Sequence, residues 1–111
     1  MRCDACDKKS CLNGKPCAPK PFPKAYEDPW VKKTMRVASE IEAEFYGIKN
    51  RLEEIMEFAR RMEFRKLGLV FCLGLEEEAR IVGDILSREF ELESVCCKVG
   101  GFLKSEIGMA Q

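Results

Sequence analysis

Four cysteines within the first seventeen residues, Cys3, Cys6, Cys11 and Cys17, constrain this chain more than any other feature. Their spacing is Cys-x2-Cys-x4-Cys-x5-Cys, and none of the 111 residues is a histidine. Apart from Met1, Leu12 is the one sizeable aliphatic side chain of the segment. Such a stretch has too little apolar surface to fold by burial, so a bound metal has to supply the free energy that orders it. Four thiolates can surround Zn²⁺ tetrahedrally, with Cys3 and Cys6 forming one knuckle. The spacing is close to that of zinc knuckles, which carry a histidine at the third ligand. A 4Fe-4S cluster also takes four cysteines, although this spacing departs from the usual ferredoxin runs. Zinc is therefore the first choice and a 4Fe-4S cluster the second. The plainer reading is four free thiols or a redox Cys3/Cys6 pair. A thioredoxin-type pair follows a strand and opens a helix, and this one does neither.

Composition narrows the classes further. Nineteen basic and nineteen acidic side chains balance, so global charge gives no argument for nucleic acid or an acidic membrane surface. No apolar run reaches the length of a membrane span, and Met-Arg-Cys-Asp-Ala-Cys has no apolar core of a signal peptide. A cytoplasmic, reducing location is the default expectation. There, seven cysteines read as metal ligands or redox groups before they read as disulfides.

Residues 18–28 follow the module as a proline-rich strap in which Pro19, Pro21 and Pro23 alternate, a pattern that favours extended, polyproline-like backbone. Asp28-Pro29 then opens a helix, with Asp28 as N-cap and Pro29 at the first helical position. Its stripe is Trp30, Val31, Met35, Ala38, Ile41 and Phe45, and Gly47 stops it. Asn50 and Glu53 form a capping box for a second helix, whose stripe is Leu52, Ile55, Met56, Ala59 and Met62. Residues 67–72 (Leu-Gly-Leu-Val-Phe-Cys) show little alternation, as expected of a parallel strand covered on both faces. Glu76, Glu77 and Glu78 sit where a helix dipole favours negative charge, and Ala79, Val82, Ile85, Leu86 and Phe90 give a third stripe. Gly83 within that helix points to close packing. Leu92 to Lys98 reads as a second strand. The whole predicts an α/β fold: the cysteine module at 1–17, the strap, then an α/β domain over 29–111 made of two amphipathic helices and a βαβ unit. Two parallel strands are not a stable sheet by themselves, so a partner strand is expected from a second copy, another chain or a longer domain.

A second cysteine set, Cys72, Cys96 and Cys97, falls at the carboxyl ends of the two strands, where open parallel sheets bind ligands. Only one of Cys96 and Cys97 can share a face with Cys72, and the other belongs to the core. Cys72 also precedes a helix N-terminus, whose dipole favours a thiolate. These residues predict a thiol site for a metal or an anionic ligand, with Lys98 and backbone amides near Gly74 as helpers. Cysteine is also among the most buried residue types, so simple core filling competes with that reading.

The segments Cys3-Asp-Ala-Cys6, Cys11, Cys17, Glu-Ala-Glu-Phe-Tyr-Gly (42–47), Arg-Leu-Glu-Glu-Ile (51–55), Phe-Ala-Arg-Arg-Met (58–62), Cys-Leu-Gly-Leu-Glu-Glu-Glu-Ala-Arg (72–80) and Ser-Val-Cys-Cys-Lys-Val-Gly (94–100) together resemble the domain of unknown function 1847 family. The resemblance implies an uncharacterised cytoplasmic α/β protein of anaerobic bacteria and archaea with a metal-binding cysteine set, and no defined activity. Members of that family run on for roughly another half domain, so this chain is expected to be the first part of one. Glu63-Phe64 stands where the family pattern has glycine and a small residue.

The function expected from the sequence is metal binding through Cys3, Cys6, Cys11 and Cys17. One alternative is a zinc-knuckle-like module for nucleic acid or peptide, in which Lys8, Lys9, Lys15, Lys20 and Lys24 surround the module and Phe22, Tyr26 and Trp30 stack. Asp4, Asp7, Glu27 and Asp28 dilute that basic patch and argue against nucleic acid. The other alternative is a thiol or redox enzyme using the strand-end cysteines. Paired carboxylates, a serine–histidine set and a phosphate loop are all missing from the sequence, so hydrolytic and kinase chemistry lack their parts.

Overall fold

The computed structural model of the protein describes residues 2–17 and 23–110. The chain divides into two compact units, Met1–Met35 and Arg36–Gln111, with the boundary inside the first helix. That helix, α1, runs Pro29–Phe45. Asp28 caps it as the sequence predicts: its Oδ1 accepts from the amides of Trp30 at 2.8 Å and Val31 at 3.0 Å. Gly47, two residues past the end, adopts φ +73°, a left-handed conformation that glycine takes without strain. The buried stripe is Val37, Ile41 and the partly buried Phe45, at successive steps of four. Met35, which the spacing assigns to this stripe, is exposed; it lies six residues before Ile41 and so about 120° around the helix. Trp30 is exposed as well.

Helix α2, Arg51–Arg61, starts with the complete capping box. The Glu53 amide donates to Asn50 Oδ1 at 3.0 Å, and the Asn50 amide donates to Glu53 Oε2 at 2.8 Å. After α2 the chain reverses through Glu63 at φ +61°. This is the left-handed position that commonly closes a helix and favours glycine. Phe64 then turns inward and joins both core clusters, meeting Phe58 edge to face at 6.2 Å.

Strand β1 (Lys66–Phe71), helix α3 (Glu76–Leu86) and strand β2 (Glu91–Cys96) form the βαβ unit. The strands pair in parallel, with Lys66 opposite Glu91 and Phe71 opposite Cys96. Burial along β1 alternates: Leu67, Leu69 and Phe71 are half-buried, whereas Gly68 and Val70 are exposed, Val70 at 76%. The expectation of a strand covered on both faces is therefore corrected. Apolar residues of α2 and α3 pack with Leu67 and Leu92 around Ala59, Leu86 and Phe90, on one side of the sheet. The opposite face, bearing Lys66, Gly68 and Val70, is exposed among the described residues. Gly83 of α3 faces Leu92 and Leu69, but a Cβ there would meet their methyl groups at 3.5 and 3.9 Å, ordinary contact distances. Helix α3 approaches the sheet here without requiring glycine.

An ion-pair network supports the second unit from outside. Glu57 accepts from Arg61 at 2.9 Å, Arg60 at 3.1 Å and Lys49 at 3.2 Å. Arg60 also makes a two-pronged contact with Glu89, and Arg61 reaches Glu44 at 2.6 Å. The network thus links α1, α2 and the connection that follows α3. Its arginines hold the Glu57 and Glu89 carboxyls below the ordinary glutamate range; Arg61 is the main cause for Glu57 and Arg60 for Glu89.

Of the strap, residues 18–22 lie outside the described residues. Pro23–Tyr26 forms a 3₁₀ turn and not extended backbone. Proline fixes only φ, at a value that a 3₁₀ turn shares with polyproline geometry, so the alternation of prolines does not decide between them.

Candidate thiol sites

The N-terminal segment is built from two tight turns. The Cys6 amide donates to the Cys3 carbonyl at 3.3 Å, closing the first. The second is a 3₁₀ turn over Ser10–Asn13, entered through Lys9 at φ 38° and left through Gly14 at φ 72°. There the Gly14 amide donates to the Cys11 carbonyl at 3.2 Å and the Lys15 amide to the Ser10 carbonyl at 3.2 Å. Asn13-Gly14, a turn-forming pair, ends it. Cys3, Cys11 and Cys17 are exposed and Cys6 is half-buried; all four are free thiols. Leu12 is 78% exposed, and no described residue of 2–17 is buried. Arg2 pairs with Asp4, with Nε to Oδ1 at 2.9 Å, and holds that carboxyl below its usual range. Among the described residues, no three cysteine, aspartate or glutamate side chains stand close enough together to hold a metal ion. The four cysteines share one short segment, but their sulfurs do not converge on a single point.

The strand ends arrange their thiols differently. The ladder ends with Phe71 opposite Cys96, where the Cys97 amide donates to the Phe71 carbonyl at 2.9 Å. Cys72 and Cys97 are the next residue on each strand, just past that last pair. Cys72 keeps extended backbone, φ −78° and ψ 138°, so alternation carries its side chain to the face of Gly68 and Val70. Cys97 follows Cys96 on the neighbouring strand, and the Cys72 side chain lies near enough to act on its thiol. Cys96 shares the other face with Leu92 and Ser94, toward α3, and is half-buried. Of the two adjacent cysteines it is Cys97 that meets Cys72, and Cys96 that turns inward.

Electrostatics single out Cys97. Its thiol titrates below the ordinary cysteine value. The first cause is a hydrogen bond from the Leu73 backbone N–H; desolvation opposes it, and the Cys72 side chain and the positive charge of Lys98 add smaller contributions in the same downward direction. Sequence reasoning named Lys98 as a helper and placed the thiolate on Cys72, beside the start of α3. The structure aims the backbone donor at Cys97, and that donor is Leu73 and not Gly74. The cause is the turn Leu73–Leu75, in which the Leu75 amide closes on the Cys72 carbonyl at 2.8 Å. Both Cys72 and Cys97 are solvent-exposed.

Comparison with known proteins places these sites in a family. Residues 17–111 match the model of DUF1847, proteins of unknown function. The chain belongs to this family. The match contains Cys17, Cys72, Cys96 and Cys97, and begins after Cys3, Cys6 and Cys11. An uncharacterised protein of Methanocaldococcus jannaschii is 46% identical over 107 residues, covering 94% of this chain and 55% of the relative. That alignment is wider than the family match and so extends into the cysteine-bearing segment. The chain spans about half the length of this curated relative. No solved structure matches it. No helix of the described residues is long and apolar enough to cross a membrane.

Proposed function

We propose that this DUF1847 chain is a metal-binding protein whose N-terminal segment holds one centre through Cys3, Cys6, Cys11 and Cys17. Zinc is the first candidate and a 4Fe-4S cluster the second. The observation that carries this reading is the coincidence of four free thiols with a segment that buries nothing. Sixteen described residues held by two turns and an Arg2–Asp4 pair have no apolar source of folding free energy. A thiolate-only donor set suits zinc and iron–sulfur centres and suits magnesium or calcium poorly. In this reading the four sulfurs are drawn together by the metal, so binding and ordering of the segment are one event. The two turns shorten the search, since each already brings the chain back near one or two of the ligands.

Elemental analysis and a visible absorption spectrum of the full chain, purified without oxygen, test the proposal. One zinc per chain with no colour assigns a structural centre. Iron with sulfide and a brown chromophore assigns a cluster. A chain that carries neither, and takes up neither zinc nor a reconstituted cluster, rules the reading out.

A further inference from the structure

We propose that Cys72 and Cys97 form a reversible dithiol/disulfide couple that exchanges electrons with an external disulfide at the carboxyl edge of the parallel sheet. The inference uses none of the four N-terminal cysteines and stands whether or not they bind a metal.

The geometry rests on register. Adjacent strands lie about 4.8 Å apart, and the Cα–Cα distance of a disulfide runs from about 4.4 to 6.8 Å. Cys72 and Cys97 each follow the last ladder pair, Phe71 and Cys96, the Cys97 amide donates to the Phe71 carbonyl, and the Cys72 side chain lies near enough to act on the Cys97 thiol. A bond between them closes the ends of two strands that are already neighbours and leaves the register of the ladder unchanged. That face is exposed, as are both cysteines, so a disulfide-bearing molecule can approach without a pocket. The pair is also asymmetric, as an exchange site requires. Cys97 has the Leu73 N–H and the charge of Lys98 to support a thiolate, which makes it the attacking sulfur. Cys72 is the resolving sulfur. Cys96, half-buried toward α3, is on the wrong face for either role.

The reaction balances as follows. The Cys97 thiolate attacks one sulfur of the external disulfide. The sulfur–sulfur bond of that molecule breaks, a mixed disulfide forms at Cys97, and the first thiolate leaves and takes a proton from water. Cys72 then gives up its proton to solvent and attacks Cys97 Sγ, expelling the second thiolate. The protein dithiol is oxidised by two electrons, and the external disulfide is reduced to two thiols. In reverse, an excess of external thiol restores the dithiol.

The test is equilibration of the full chain with glutathione and glutathione disulfide over a wide range of ratios, followed by acid quenching, alkylation and tryptic mapping. Cleavage after Lys66, Arg80, Arg88 and Lys98 places Cys72 in peptide 67–80 and Cys96 with Cys97 in peptide 89–98. The expected result is a linked pair of these two peptides that appears and disappears with the ratio, is lost in C97S, and persists in C96S. Absence of the linked pair from the unaltered chain at every ratio overturns the proposal. So does a linked pair that survives in C97S and vanishes in C96S. Circular dichroism of both variants checks that the domain is folded, and the unaltered chain decides the first outcome without any variant.

Discussion

Two regions of this molecule hold their cysteines in opposite ways. In the N-terminal segment the thiols are the dominant feature, and the backbone around them is two turns with no core. At the strand ends the thiols are passengers on a scaffold whose position is set by other residues: Ala59, Leu86 and Phe90 in the core, and the ladder that pairs Phe71 with Cys96. The first arrangement needs a ligand to become a site. In the second, the fold itself brings Cys72 and Cys97 to the ends of adjacent strands. Cysteine count alone does not separate the two cases. What separates them is whether apolar burial fixes the backbone before the thiols do any chemistry.

Four variants test whether the two regions behave independently. The largest effect belongs to Cys11→Ala, which is expected to abolish metal retention and leave residues 2–17 open to proteolysis while the far-ultraviolet dichroism of the α/β unit is unchanged. Metal analysis and limited proteolysis check both halves. Next, Leu86→Ala removes a side chain that is 5% exposed in the core and is expected to destabilise the α/β unit by about 2–5 kcal/mol, read by urea denaturation, with metal content unaltered. Loss of metal in this variant would mean that the two regions are not independent.

A smaller change of opposite sign is expected from Gly83→Ala. The added methyl meets Leu92 and Leu69 at ordinary contact distance, and helix propensity then favours alanine by about 1 kcal/mol. A lower urea midpoint for this variant would show that α3 needs the glycine after all. The smallest effect is on acid stability. Arg61 and Arg60 lower the pKa values of Glu57 and Glu89. The stabilisation they give is complete above the ordinary glutamate range and is lost as pH falls through the lowered values. Solvent reaches these partly exposed pairs and screens them, so the change is modest. Arg60→Gln is expected to flatten the fall of the urea midpoint in acid without moving the pH at which metal is released, since that release follows thiolate protonation.

Much of the scaffold was legible in the sequence because its signals are local. Asp28, Asn50 and Glu53 act as the caps their types and spacing suggest, and the βαβ order follows from apolar runs and the acidic start of α3. The open face of β1 was not legible. Leu-Gly-Leu-Val-Phe is apolar at every position except glycine, so sequence alternation is hidden, and only the packing of α2 and α3 on one side reveals it. The pairing of Cys72 with Cys97 was half legible: strand parity limits the choice to one of two adjacent cysteines, but register decides which, and register depends on the length of the α3 crossover. The Leu73 amide had no sequence signal, because a backbone donor carries no side-chain identity. Glu63 had no signal either: nothing about a glutamate marks the place where the backbone turns left-handed.

Whether the N-terminal cysteines share one metal is decided by peptide-resolved alkylation of the native chain, as purified without oxygen and again after a chelator. Cys3, Cys6, Cys11 and Cys17 are expected to be protected together and to become reactive together when the metal is stripped, while Cys72 and Cys97 react in both states. Immediate labelling of the four N-terminal cysteines before any chelator is added would contradict it.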